Sequence, residues 1–304
     1  MTRQMLTKAS WVAVLCTGVV LGTQSRVRAQ GGEYLTQALG RAVTATQDLQ
    51  NGTSLGLESG GKPAVMGGWM DQGESVSIRR DLEVGVRYVF IAGGDDDAID
   101  VDLEILDASG NRLVHDTATD SIAIVEFRPY STEPYEIRTT LYRSNGPSVV
   151  VCAVMQDGGY TIPLHDFEAA TAKLIVSATE SRVDRLVHQP NQWSFYGVIV
   201  RGGEVATIRN VRLGEGPRNV LAVGDTDVED IDLCVTDAYD NVLARDEHAD
   251  AFPHVRWGAS NRAHTVYLKN ASTNDVPTLV LIGMYSDDRP VINYSRPFVE
   301  TANR

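Results

Sequence analysis

From Tyr34 the apolar residues Tyr34, Leu35, Ala38, Leu39, Ala42 and Val43 recur at one-turn spacing, predicting an amphipathic helix that stops at Asn51-Gly52. A second stripe, Phe167, Ala170, Leu174, Ala178 and Val183, predicts another helix, with the Asp166 carboxylate as a cap for its first turn. After each helix the period shortens to two, in runs broken by Gly, Asp and Asn. Residues 75–78, 88–91, 101–106, 123–127, 135–141 and 148–154 read as strands, and so do 205–208, 220–223, 231–236, 254–257, 265–268 and 278–284. Short strands at such spacing predict antiparallel sandwiches, and the lack of strand–helix alternation disfavours a parallel α/β sheet.

The two series of runs are copies. Residues 95–120 align with 225–250 at a constant offset of 130, with 11 identities in 26 positions. Eight of these are aspartate or asparagine pairs: Asp95/Asp225, Asp97/Asp227, Asp100/Asp230, Asp102/Asp232, Asp107/Asp237, Asn111/Asn241, Asp116/Asp246 and Asp120/Asp250. The likeness continues outward, with Gly73-Glu74 meeting Gly203-Glu204 and Phe127 meeting Trp257. A whole helix-plus-sandwich unit is therefore present twice. The expected organisation is a leader over 1–29, a first unit over 30–161 and a second over 162–304, each closing around its own core. The fold class expected is mainly β, with two jelly-roll-like antiparallel sandwiches, each preceded by an α-helix.

Asp107-Ala108-Ser109-Gly110 suits a type I turn followed by a left-handed residue, and Asp237-Ala238-Tyr239-Asp240 places a tolerated aspartate at the same point. Asp100-Val101-Asp102-Leu103 leading into Asp107 to Asn111, repeated as Asp230-Ile231-Asp232-Leu233 leading into Asp237 to Asn241, resembles the central signature of the bacterial pre-peptidase C-terminal domain. The resemblance covers about 60 to 90 residues of each unit. It implies a jelly-roll-like sandwich on an exported protein, a substrate- or surface-binding role, and in some members calcium. Glu104 and Cys234 stand where that family often has an aromatic residue, and no peptidase domain accompanies the pair.

Arg3 and Lys8, an apolar stretch from Trp11 to Leu21 and the exit Val27-Arg28-Ala29 have the three parts of a secretory signal, so an exported protein, periplasmic or extracellular, is expected. The apolar stretch is too short for a membrane span. The chain carries a formal charge of −13, and cleavage after Ala29 would remove four basic residues and no acid, giving −17. Such a surface repels nucleic acid and anionic lipid and attracts cations or basic partners. Cys152 and Cys234, at different points of different units among apolar neighbours, read as separate buried thiols.

Only the acidic clusters repeat. Asp95, Asp97, Asp100, Asp102 and Asp116, with Asp225, Asp227, Asp230, Asp232 and Asp246 in the second copy, are the candidate ligands for calcium, which takes 6–8 oxygens from flexible loops. Their mutual repulsion calls for solvent, arginine or a cation. The competing reading is a solvated edge that opposes sheet-to-sheet aggregation, with aspartates forming turns. An EF-hand is excluded by Leu106 and Thr236 at the twelfth loop position.

No zinc, nucleotide or serine-hydrolase motif occurs, so no catalytic residue is assigned. Trp69, Trp193, Trp257 and Tyr239 read as core or as packing between units rather than as a ligand platform. The expected function is an exported, non-catalytic binding or scaffold protein, its partner a protein or polysaccharide of the cell envelope. The rival is a hydrolase with its site between the units, which a one-copy cluster of carboxylates and histidines in that cleft would favour.

Overall fold

The computed structural model describes residues 30–183 and 185–287; the expected leader lies outside them. Two helices, α1 (Gln30–Gln50) and α2 (Leu164–Glu180), accompany seventeen strands. The first copy contributes β1 (Leu55–Leu57), β2 (Pro63–Met70), β3 (Ser75–Leu82), β4 (Tyr88–Gly94), β5 (Ala98–Leu106), β6 (Arg112–Asp116), β7 (Ile122–Phe127), β8 (Glu133–Ser144) and β9 (Ser148–Asp157). The second contributes β10 (Phe195–Val200), β11 (Val205–Val211), β12 (Gly216–Gly224), β13 (Ile231–Asp237), β14 (Val242–Asp246), β15 (His254–Ala259), β16 (His264–Asn270) and β17 (Thr278–Ser286).

All pairings between these strands are antiparallel. In the first copy β2-β9-β4-β7 forms one layer and β3-β8-β5-β6 the other; in the second these become β10-β17-β12-β15 and β11-β16-β13-β14. Numbered from β2 and from β10, both copies have the order 1-8-3-6 over 2-7-4-5, that of a jelly roll. The mainly β, two-sandwich reading of the sequence is thus what the chain forms.

The expectation of a separate core for each copy is not met. β2 pairs with β10, so the inner layers of the two sandwiches are one nine-stranded sheet, with the outer four-stranded sheets on one of its faces. A single apolar cluster runs beneath both outer sheets, from Leu103, Ile137 and Val154 to Leu233, Val266 and Met284. The opposite face of the central sheet is covered by the helices, where Leu35, Leu39, Phe167 and Leu174 meet Val65, Ile91 and Leu281. With both faces covered, β9, β10 and β17 are buried almost throughout. Burying a leucine of this kind contributes about 1.5–3 kcal/mol, so each helix stripe holds its helix firmly to the sheet.

The join has a symmetry that the offset of 130 makes visible. Met66 and Tyr196 are the same position of the two copies and face each other directly across the β2–β10 ladder. Gly67 lies opposite Phe195, and Gly197 opposite Val65, so a local pseudo-two-fold axis passes between Met66 and Tyr196. Beyond Gly197 the register shifts, and Val198 pairs with Pro63.

Two local expectations are corrected. Helix α2 begins after Pro163 with no side-chain cap; Asp166 sits inside the first turn, where its Oδ1 accepts a hydrogen bond from the Thr226 hydroxyl at 3.2 Å. Cys152 is buried and its thiol is pushed up to about 11 by burial, but Cys234 is only half-buried. Cys234 alternates with Leu233 and Val235 and so lies in the outer row beside Asp232.

Candidate functional site

The ten aspartates divide into three structural kinds, each repeated. Asp95 and Asp225 are buried staples. Oδ2 of Asp95 accepts the Val149 N–H at 2.6 Å and Oδ1 that of Asp97 at 3.1 Å; Asp225 accepts Leu279 N–H at 2.7 Å and Asp227 N–H at 3.0 Å. Burial raises the pKa of both carboxyls against the lowering effect of these backbone donors. Asp97 and Asp227 supply backbone to the staples, and the charge of Asp97 raises the pKa of the nearby Tyr34 hydroxyl.

Asp116 and Asp246 tie hairpins. Asp116 accepts the N–H groups of Ala118 at 3.0 Å and Ile124 at 2.9 Å, and Asp246 those of His248 at 3.2 Å and His254 at 3.0 Å. Asp107 and Asp237 do the same at the preceding turn, each holding two backbone N–H groups and an asparagine side chain. The left-handed residues expected there are Gly110 and Asp240, at φ 83° and 62°.

Asp100, Asp102, Asp230 and Asp232 lie along β5 or at the start of β13. Asp102 is raised by burial, then by the charges of Asp100 and Asp116. Asp232 instead has Lys269 Nζ at 3.6 Å. One oxygen, Oδ1, of both Asp100 and Asp230 is buried without a hydrogen-bond partner among the described residues. The ligand atoms of the ten aspartates do not converge: among the described residues the one group of three converging metal-ligating side chains is Asp71, Glu74 and His188. Glu74 there accepts the Asp71 N–H at 2.7 Å and lies 3.0 Å from His188 Nε2. Its counterpart Glu204 accepts the Arg201 N–H at 2.8 Å, so the carboxylate's first task is to close a turn.

The charge compensation expected of the acidic loops comes from the helices. Arg41 of α1 donates to the carbonyls of Gly94, at 2.7 Å, and Asp95, and to the Asp96 carboxylate at 2.6 Å. Lys173 of α2 donates to the carbonyls of Gly224 at 3.2 Å and Asp225 at 2.6 Å.

A cleft of about 470 Å³ opens on the pseudo-two-fold axis, between the facing outer sheets. Its walls are Ser77, Ile78, Arg79 and Arg80 of β3 and the equivalent Thr207, Ile208, Arg209 and Asn210 of β11. Lys62, Pro63, Trp193 and Tyr196 are among its remaining lining residues, which among the described residues include no carboxylate, histidine or cysteine. Glu58, just behind, is buried and ion-paired with Arg80 and with Lys62 at 3.1 Å. Trp193 is buried here between the copies, as its position after the second helix suggested; Trp257 is core beside His264, Trp69 packs edge-on against Tyr34, and Tyr239 is exposed at a loop tip. Sequence reasoning missed the cleft because its cations come from segments that are far apart in the chain.

No helix among the described residues is long and apolar enough to cross a membrane. No family model and no curated protein matches the chain. Among solved structures it is similar to the M60 catalytic domain with two CBM51 domains from Clostridium perfringens, at 10% identity and a TM-score of 0.25, over 71% of this chain and 34% of that one. It is also similar to the tandem CBM51 modules of a family 98 glycoside hydrolase from Streptococcus pneumoniae, at 10% identity and a TM-score of 0.22, over 73% and 84%. A secreted serine protease from Vibrio cholerae matches at 12% identity and a TM-score of 0.22, over 80% and 53%.

Proposed function

We propose that the protein is an exported, non-catalytic binding protein, a tandem pair of sandwiches like the pre-peptidase C-terminal domain, with the cleft between the copies as its ligand site. The observation that carries this reading is the chemistry of the cleft lining, which among the described residues offers cations, amides, an indole and hydroxyls but no carboxylate, imidazole or thiol. Hydrolysis by general acid and base needs titratable groups within hydrogen-bond reach of the scissile bond. The cleft supports recognition without them. The rival hydrolase called for carboxylates and histidines there. Export rests on the leader pattern of residues 1–29 and the family resemblance on the D-x-D-L hairpins.

The test is NMR chemical-shift mapping of the purified protein titrated with fractionated cell-envelope polysaccharide and protein. The expected shifts cluster at residues 77–80, 191–196 and 207–210, with the ligand recovered chemically unchanged. Shifts centred elsewhere, or conversion of the ligand, would reject the reading.

A second role belongs to the repeated aspartates. The unpartnered Oδ1 atoms of Asp100 and Asp230 favour calcium as a structural ion at these two equivalent corners.

A further inference from the structure

The cleft has a polarity opposite to that of the chain around it. We propose that it receives an extended, acidic polypeptide segment, which adds as a strand to the free edge of β3 or β11. The inference rests on the cleft being the ligand site and specifies what occupies it.

Backbone chemistry points to a polypeptide. Among the described residues of the outer sheets β3 pairs only with β8, and β11 only with β16. Their other edges border the cleft, so the central sheet runs on beneath a gap where the layer above is interrupted. An unpaired edge presents backbone N–H and C=O groups in the row that an extended chain completes. The cavity volume also lies within the range of about 300–1,000 Å³ common for ligand sites.

Side-chain chemistry points to acid. The described lining residues carry the cations Lys62, Arg79, Arg80 and Arg209 and no carboxylate. Arg209 is exposed and makes no ion pair among the described residues, whereas Arg79 is held only at the surface, 3.2 Å from Glu136. Arginines on a strand edge also oppose aggregation, but that role calls for no cavity between the two edges. A ligand rich in carboxylates would supply Arg209 with the counter-charge it lacks and would add to that of Arg79.

The two walls differ in a way that breaks the symmetry. β3 pairs with β8 without interruption from Ser75 to Leu82. In β11 the register jumps from Ile208–Val266 to Val211–His264, leaving Arg209 and Asn210 opposite a single residue, with Asn210 at φ 60°. A bulge of this kind re-aims side chains, and asparagine tolerates the left-handed region. The bulge puts Arg209 and Asn210 on the cleft wall, and the uninterrupted edge of β3 is the better template for an added strand.

The test measures binding of a fluorescent octapeptide of alternating Glu and Val to the purified protein by anisotropy. Parallel probes are the Lys-for-Glu peptide, the acidic peptide with alternate backbone amides N-methylated, and an oligogalacturonate of similar charge. The acidic peptide is expected to bind at least tenfold more tightly than the lysine and N-methylated peptides. The variant Arg209→Glu should lose at least tenfold in affinity at an unchanged melting temperature, and the double variant Arg79→Glu with Arg209→Glu should lose more; Arg209→Ala serves if the double variant does not fold. Equal binding of the N-methylated peptide would overturn strand addition. Binding of the oligogalacturonate but not of the peptide would overturn the polypeptide occupant while leaving the cleft as a site. Absence of binding by either probe, or binding indifferent to the charge reversals, would remove the site as well.

Discussion

Arg41 and Lys173 stand at corresponding places on the two helices, and each donates to the carbonyls of a glycine and the aspartate that follows it, Gly94-Asp95 and Gly224-Asp225. A cation from the helix thus closes the acidic loop in both copies. Truncating Arg41 or Lys173 to Met should destabilise the protein by about 1–2 kcal/mol each, in line with hydrogen bonds from charged donors, discounted for partial exposure. Urea denaturation monitored by circular dichroism gives the measurement. No change for either would mean that the helix stripes alone hold the helices.

The pH dependence of Asp95 and Asp225 has a definite sign. Burial raises both carboxyls above the usual value of about 4, so the folded state binds protons that the unfolded state has released. Their contribution is fully present below about pH 4 and is lost as pH rises through the folded pKa. The stability difference between the wild type and Asp95→Asn should therefore shrink as pH rises from about 4 toward neutrality. A difference that grows instead would show that the ionised carboxylate is favoured in the fold, as a bound cation would make it.

Calcium is tested at Asp100 and Asp230. The buried, unpartnered oxygens predict a melting temperature that rises by several degrees with millimolar calcium and falls again with chelator. The double variant Asp100→Asn with Asp230→Asn should abolish the response. Identical melting with calcium and with chelator would eliminate the ion.

The join between the copies is sterically tight. A Cβ on Gly67 would lie 3.0 Å from Val151 Cγ2 and 3.3 Å from Phe195 Cδ1, and one on Gly197 would lie 3.1 Å from Val65 Cβ. Gly67→Val or Gly197→Val should cost about 1–3 kcal/mol through overpacking. Thermal unfolding measures the loss, and a neutral result at both positions would show that the central ladder can spread.

The repeated hairpins were legible because their turns are written in residue types with one physical use. Asp107 with Asn111, and Asp237 with Asn241, hold the turns that their spacing implied. Strands of the outer sheets, such as β8, alternate between buried and open positions and gave their period away. The strands that unite the copies gave none. β10 is Phe-Tyr-Gly-Val-Ile-Val, buried at all six positions, and β2 carries a Gly-Gly pair that reads as a loop. The calcium candidates illustrate a different limit: sequence spacing brought ten carboxylates together on paper, but backbone N–H groups take up many of their oxygens in the fold.

The pairing of β2 with β10 joins one edge to a second version of itself. A lone unit would carry that same self-complementary edge and would close it by associating with an identical molecule, as an isologous homodimer. Tying both halves into one polypeptide makes the association unimolecular, so it no longer depends on concentration. It also frees the two walls to diverge, and only a fused pair could place a bulge on one side of its own axis.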